Sequence, residues 1–266
     1  MRRFVRYETR PPGGPLRPFV RCLWRLRAAP GELRPQSIVP DGSFELLIHL
    51  GEPVRDDGAA EGGGPARVAA TLTRPVRVEA PGALDVVGVR FRPGAAYPFL
   101  AVAAAELVDL VAPAGDVLPR ELARVVEGLE PAATGPLFAR LEGALRRRLQ
   151  VAGHDPGFDV LAAALAAGRG QGSVGALADA AGLSPRQLER RFRARAGTPP
   201  KLLQRVLRFH RVATRILEGG VGLADLAAEA GYSDQAHMSR EFRALAGTTP
   251  GSFRRQERPL DRCFAG

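Results

Sequence analysis

Five arginines in the C-terminal third stand at spacings that could do one kind of chemistry. Arg186, Arg190 and Arg193 are followed fifty residues later by Arg240 and Arg243. On a helix, at about 100° per residue, each set shares a face. A guanidinium presents a planar fork of donors and accepts nothing. An exposed row of them therefore suits flat acceptors such as phosphate oxygens or the O6/N7 edge of guanine. The patterns of catalysis are missing. No G-x-S-x-G elbow, no P-loop and no Rossmann strand–turn–helix fingerprint appears. Cys22 and Cys263 lie far apart, with no C-x-x-C and no nearby pair of histidines, which leaves no Cys-rich zinc module. We therefore expect no enzyme, no cofactor and no metal.

The elements that must hold these arginines are written twice. Val174, Leu177, Ala178 and Ala181 have the spacing of a short amphipathic helix, and Gly182 stands where a left-handed residue would end it. Ser184-Pro-Arg-Gln187 then reads as a helix start, with Ser at the N-cap, Pro at N1 and Gln closing a capping box. Two short helices joined by a glycine turn are a helix-turn-helix. The second copy repeats it with Leu223, Leu226, Ala227, Ala230, Gly231 and Ser233, and carries one extra residue after its serine. Leu188 and Phe192, and then Met238, Phe242 and Leu245, point inward. Arg186, Arg190 and Arg193, and then Ala236, Arg240 and Arg243, point outward. Between the copies Leu202, Val206, Phe209, Val212, Ala213 and Leu217 predict a connecting helix over Lys201–Glu218, ended by Gly219-Gly220. Its length of ~27 Å compares with ~34 Å for one turn of B-DNA.

The charge lies where the repeat does. The chain of 266 residues carries a net +10; residues 169–258 hold 16 basic and 8 acidic side chains, a balance of +8. A basic excess there suggests a polyanionic partner.

The rest of the chain has a different pattern. Residues 19–27 alternate apolar and polar side chains, Phe44–Leu50 follows a Pro-Asp-Gly turn signal, and Val76–Glu79 and Leu84–Phe91 complete a β-rich unit. A glycine- and acid-rich loop is expected from Asp56 to Pro65. Residues 95–107 suit a short helix or irregular chain, and helices follow at Leu118–Leu129, Pro136–Gln150 and Phe158–Ala167. The fold class is therefore α+β: a small N-terminal β-barrel or sandwich with following helices, then an all-α unit of two helix-turn-helix subdomains joined by a long helix. The expected division is 1–165, 169–258 and a tail at 259–266, with Gly168–Gly172 as linker. Trp24 and Tyr97 are expected in cores. Glu45 and His49 share a strand face, better read as a hydrogen-bonded pair than as metal ligands. With no signal-peptide core and no apolar run near ~18 residues, the protein is expected in the cytoplasm, off the membrane.

Residues 169–256 resemble the DNA-binding domain of AraC/XylS-type transcriptional regulators. The marks are Ala181-Gly-Leu-Ser184-Pro, Arg190-x-Phe192, Gly197-Thr-x-Pro200, Ala227-x-x-Ala230-Gly231-Tyr-Ser-Asp-Gln235, Ser239-Arg-x-Phe242 and Gly247-Thr-Thr-Pro-Gly-Ser-Phe-Arg254. The resemblance implies a transcription factor that binds double-stranded DNA. It places base contacts at Arg186, Gln187, Glu189 and Arg190, then at Gln235, Ala236, His237, Ser239 and Arg240. Arg193 and Arg243 flank these sets, and Ser184, Lys201 and Ser233 are placed as N-caps or phosphate contacts. Glu189 could accept from cytosine or pair with Arg193. Residues 1–100, through Val39–Gly51 and Gly88–Gly94, are similar to a β-rich domain that precedes such modules, which implies effector sensing or dimerisation. RNA polymerase, a small-molecule effector and a second copy of the chain are the further partners this implies. Two other readings stand beside it: a DNA-binding module fused to an unrecognised enzyme or ligand-processing domain, and a partner-binding protein whose paired helices touch protein.

Overall fold

A computed structural model describes residues 5–56 and 64–255. Most of the loop expected at Asp56–Pro65, and the whole 259–266 tail, lie outside the described residues. The N-terminal part is a sandwich of two antiparallel sheets with helices on its outer face. Strands β1 (Arg6–Arg10), β2 (Val20–Ala28), β3 (Gln36–Ile38), β4 (Glu45–His49), β5 (Arg55–Asp56), β6 (Ala66–Ala69), β7 (Val76–Glu79), β8 (Leu84–Phe91) and β9 (Val111–Pro113) form it. The larger sheet runs β1-β2-β8-β4-β6-β9, and β3-β7-β5 make the smaller. Because side chains alternate along a strand, the larger sheet serves two interiors. Leu23, Leu46, Ile48, Val87 and Val89 face helices α1 (Ala114–Val117), α2 (Arg120–Glu127) and α3 (Thr134–Val151), meeting Leu122, Val126, Leu137 and Leu141. Trp24, Leu26, Leu84 and Val86 face the smaller sheet instead.

The stretch from 95 to 107 is two 3-10 turns, Tyr97–Phe99 and Ala104–Glu106, set among irregular chain. Both touch the C-terminal half. Tyr97 Oη donates to Asp159 (2.8 Å) and accepts from the Asp155 backbone (2.7 Å). Gly197, at φ 80°, lies so close to the second turn that a Cβ there would stand 2.6 Å from the Ala104 carbonyl.

Among the described residues seven helices follow: α4 (Pro156–Ala167), α5 (Val174–Ala180), α6 (Pro185–Ala196), α7 (Pro200–Glu218), α8 (Leu223–Glu229), α9 (Gln235–Ala246) and α10 (Pro250–Arg255). They build two cores. Phe158, Leu161 and Leu165 of α4 pack with Leu188, Phe192, Leu203 and Leu207. Val206, Phe209, Val212 and Ile216 pack with Leu226, Met238, Phe242, Leu245 and Phe253. The connecting helix α7 is therefore a wall of both. The single apolar stripe expected on it is too narrow: Leu202 and Leu217 are half-buried, while Leu203, Leu207 and Ile216 are buried because a second core needs a second face. Although Gly170, Gly172 and Gly175 share the spacing of a dinucleotide-binding turn, they join helix to helix with no strand before them. Among the described residues no helix is long and apolar enough to cross a membrane.

Glu45 and His49 do not pair with each other. Glu45 accepts from Arg90 Nε (2.6 Å), and Arg90 also holds Asp41 (3.0 Å). His49 is buried, and burial, reinforced by Arg67, lowers its pKa to about 4. The unfolded chain takes up this proton near pH 6.5 and the folded chain only near 4. Stability is thus full above pH 6.5 and falls as pH drops towards 4, by ~3 kcal/mol at most. Thermal melts at pH 7 and pH 5 should show a smaller acid-induced loss for His49→Phe than for the parent chain.

Candidate nucleic-acid interface

The first helix pair is fixed by its ends. Ser173 caps α5, its hydroxyl accepting from the Gly175 and Ala176 amides (3.1 and 3.4 Å). Gly182 takes φ 62°, which a glycine adopts at little cost, and the Leu183 amide closes back on the Ala178 carbonyl at 3.0 Å. Ser184 then caps α6 with a reciprocal box: its hydroxyl accepts from the Gln187 amide (3.3 Å), and Gln187 Oε1 accepts from the Ser184 amide (2.8 Å). Leu188, Phe192 and Ala196 are buried against α4, α5 and α7, which leaves Arg186, Gln187, Glu189, Arg190 and Arg193 exposed. Two of these are already engaged. Arg193 and Glu189 form an i,i+4 ion pair at 2.9 Å, and the Gln187 carbonyl oxygen serves the cap, leaving its amide NH2 to contact anything else.

The second pair departs at its start. Ser233 is not the N-cap of α9. Asp234 is, accepting from the His237 amide at 2.6 Å. The residue inserted after the serine moves the cap on by one position, and Ser233 Oγ turns instead to Asp234 (3.2 Å) and His237 Nδ1 (3.1 Å). His237 also stands edge-on to Tyr232, with ring centroids 5.2 Å apart. It and Ser239 are half-buried, whereas Gln235, Ala236, Arg240 and Arg243 are exposed. Lys201, the second residue of α7, is exposed as well.

Beneath α9 lies a polar group that no pattern flagged. Glu241 is buried and accepts from Arg205 (3.0 Å), Arg208 (3.0 Å) and Tyr232 Oη (2.7 Å). Arg208 also lies 4.4 Å from the centre of the Tyr232 ring. Burial alone would raise the Glu241 pKa, but the Tyr232 and Arg208 hydrogen bonds outweigh it and hold the carboxyl below the usual range. The one signal available was position: Glu241 falls three residues after Met238 and beside Phe242, on the flank of the inward face.

Away from the outward faces, Arg195 pairs with Asp155, Arg205 and Arg208 with Glu241, and Arg215, on the surface of α7, with Glu218. On the outward faces, Arg186, Arg190, Arg240 and Arg243 form no ion pair with another described residue. Ser184, Arg186, Gln187, Glu189, Arg190 and Arg193 line one open concavity, and Ala105 of the N-terminal half forms part of its rim.

Residues 177–256 match the family described as a helix-turn-helix domain. This is an AraC-type helix-turn-helix domain. Residues 8–113 match a second family, a domain of unknown function, DUF6597. Over 81 residues the chain is 36% identical to the HTH-type transcriptional regulator GlxA of Rhizobium meliloti, an alignment that spans 30% of this chain and 25% of that protein. The chain thus matches only a quarter of that relative's length. Among solved structures, an AraC-type regulator from Chromobacterium violaceum aligns at 26% identity over 37% of this chain and 89% of that one, with a TM-score of 0.35. An apo form of ToxT from Vibrio cholerae aligns over 92% of this chain and 98% of its own, at 8% identity and a TM-score of 0.47. At these scores neither likeness bears on function. The AraC-type domain contains both α6 and α9 in full, and the N-terminal family covers the sandwich.

Proposed function

We propose that the protein is a sequence-specific, DNA-binding transcriptional regulator whose α6 and α9 enter successive major grooves on one side of a duplex. The observation that carries this is that Arg186, Arg190, Arg240 and Arg243 stand exposed on the outward faces of α6 and α9 with no ion partner among the described residues, while Arg205 and Arg208 beneath α9 are held by Glu241. Arg190 and Arg240 sit at matching places and are the strongest candidates for bidentate contact with guanine. Arg186 has only Ala236 opposite it in the repeat, which offers a methyl group, so the two helices read unequally. Ser184, Lys201 and Arg243 are assigned to phosphates. Because Arg193 and Glu189 hold each other, they orient the face of α6 more than they read it. The DNA-binding unit begins at Pro156, since α4 fills the first core. The N-terminal half modulates it: the turn Ala104–Glu106 abuts α6, and Val39 enters the second core.

Duplex fragments that co-purify with the protein supply the site for the test. Binding is expected to weaken at least about tenfold between 50 and 200 mM salt. Arg190→Ala and Arg240→Ala should each cost ~1–3 kcal/mol at that site, with unchanged melting of the protein. Equal affinity of the parent chain and the double variant, measured by fluorescence anisotropy, would overturn the assignment. A protein-binding role would show instead as duplex affinity no better than for unrelated DNA.

A further inference from the structure

We infer that the space between the two β-sheets is a binding site for a small, uncharged molecule about one ring in size that carries a hydroxyl group. The site stands apart from α6 and α9 and holds whether or not they bind DNA. Its volume is about 150 Å³, comparable to that of an apolar cavity known to admit benzene. Its walls are mostly hydrocarbon, with Trp24, Leu26, Leu47 and Val86 from the larger sheet and Val54 and Val78 from the other side. Gly88 makes the floor possible, because a Cβ there would collide with the Trp24 indole. Water filling such a space would find few partners, and most of it would be held at a cost.

Two buried polar side chains line the same space, and both have an atom without a hydrogen-bond partner. His49 and Arg67 are each 6% exposed, and His49 Nδ1 and Arg67 Nε make no hydrogen bond. Leaving such groups unpaired in an apolar interior costs ~1–3 kcal/mol each, which a molecule bound between the sheets and bonded to both would recover. His49 and Leu47 share one face of β4, and Arg67 pairs with Leu47 across the ladder, so both groups reach the cavity from neighbouring strands. The chemistry they select follows from their state. Arg67 Nε–H can only donate. His49, kept neutral by burial, can accept at Nδ1. A hydroxyl satisfies both, accepting from the one and donating to the other. A charged ligand is disfavoured because the cations of the wall are already balanced: Arg67 by Asp56 (2.9 Å), and Arg90 by Glu45 and Asp41. Asp41 and Arg90 close the end of the cavity that faces His210 and Ala213 of α7.

Trp24 is the only tryptophan of the chain, so its emission reports on the site in the full-length protein. Phenol and cyclohexanol are titrated against benzene and benzoate. A saturable change with either alcohol is expected, at least tenfold tighter than with benzene and absent with benzoate. His49→Phe should bring phenol and benzene to within about twofold of each other. Val86→Phe, which fills the cavity from the larger sheet, or Val78→Phe from the smaller if the first does not fold, should abolish the response while leaving duplex binding unchanged. No saturable response to either alcohol, a response that survives the filled cavity, or tighter binding of benzoate would overturn the site. Duplex binding, measured on the same samples, reports separately on α6 and α9.

Discussion

Glu241→Ala is expected to lower the stability of the C-terminal half by ~3 kcal/mol, measured by denaturant unfolding. The carboxylate neutralises Arg205 and Arg208 and takes the proton of Tyr232 Oη in a hydrogen bond. Its removal leaves a buried hydroxyl without an acceptor and a guanidinium, 19% exposed at Arg208, without a counter-charge. Breaking a buried pair from one side costs ~3–5 kcal/mol, and the access of Arg205 and Arg208 to solvent sets the lower end here. Glu241→Gln should cost less, because an amide oxygen still accepts from Tyr232. Glu241 has a lowered pKa, so its contribution is present above the unfolded value near 4.5 and is lost as pH falls below it. In Glu241→Ala that acid-sensitive share should disappear. Unchanged unfolding in both variants would show that the cluster is solvated and contributes little.

Inserting five base pairs between the two half-sites of a bound operator should weaken binding by ~100-fold or more, close to 3 kcal/mol. Half a turn of duplex carries the second half-site to the far side, out of reach of α9 while α6 is seated. The discriminating experiment is the ten-base-pair insertion. It restores the facing but adds ~34 Å of separation, and α7 cannot lengthen, because its 19 residues are walls of two cores and span ~28 Å. Affinity should therefore stay low. Recovery at ten base pairs, read by anisotropy across a series of insertions, would mean that the readers are joined flexibly or belong to two chains.

Much of this was legible locally. The bounds of β7 and β8, the capping box at Ser184 and the left-handed Gly182 and Gly231 depend on neighbours a few residues away, so the sequence alone predicts them. What was not legible depends on distant partners. Asp234 replaces Ser233 as a cap because one inserted residue shifts the start of α9, and either side chain could cap by type. Glu241 sits inside because Arg205 and Arg208 approach it from α7, thirty-odd residues earlier. The helix α4 joins the first core through Phe158 and Leu165, yet nothing in its own sequence says which half it will complete. The cavity between the sheets exists only once two separate sheets face one another, and no single strand encodes it.

The length of α7 has a mechanical meaning. A helix clamped in two cores does not bend easily between them, so it acts as a stiff arm with α6 near one end and α9 near the other. Over ~28 Å, a tilt of about 7° displaces the far end by ~3.4 Å, the rise of one base-pair step. A rotation of α6 in its groove by that small angle would thus carry α9 from one base pair to the next.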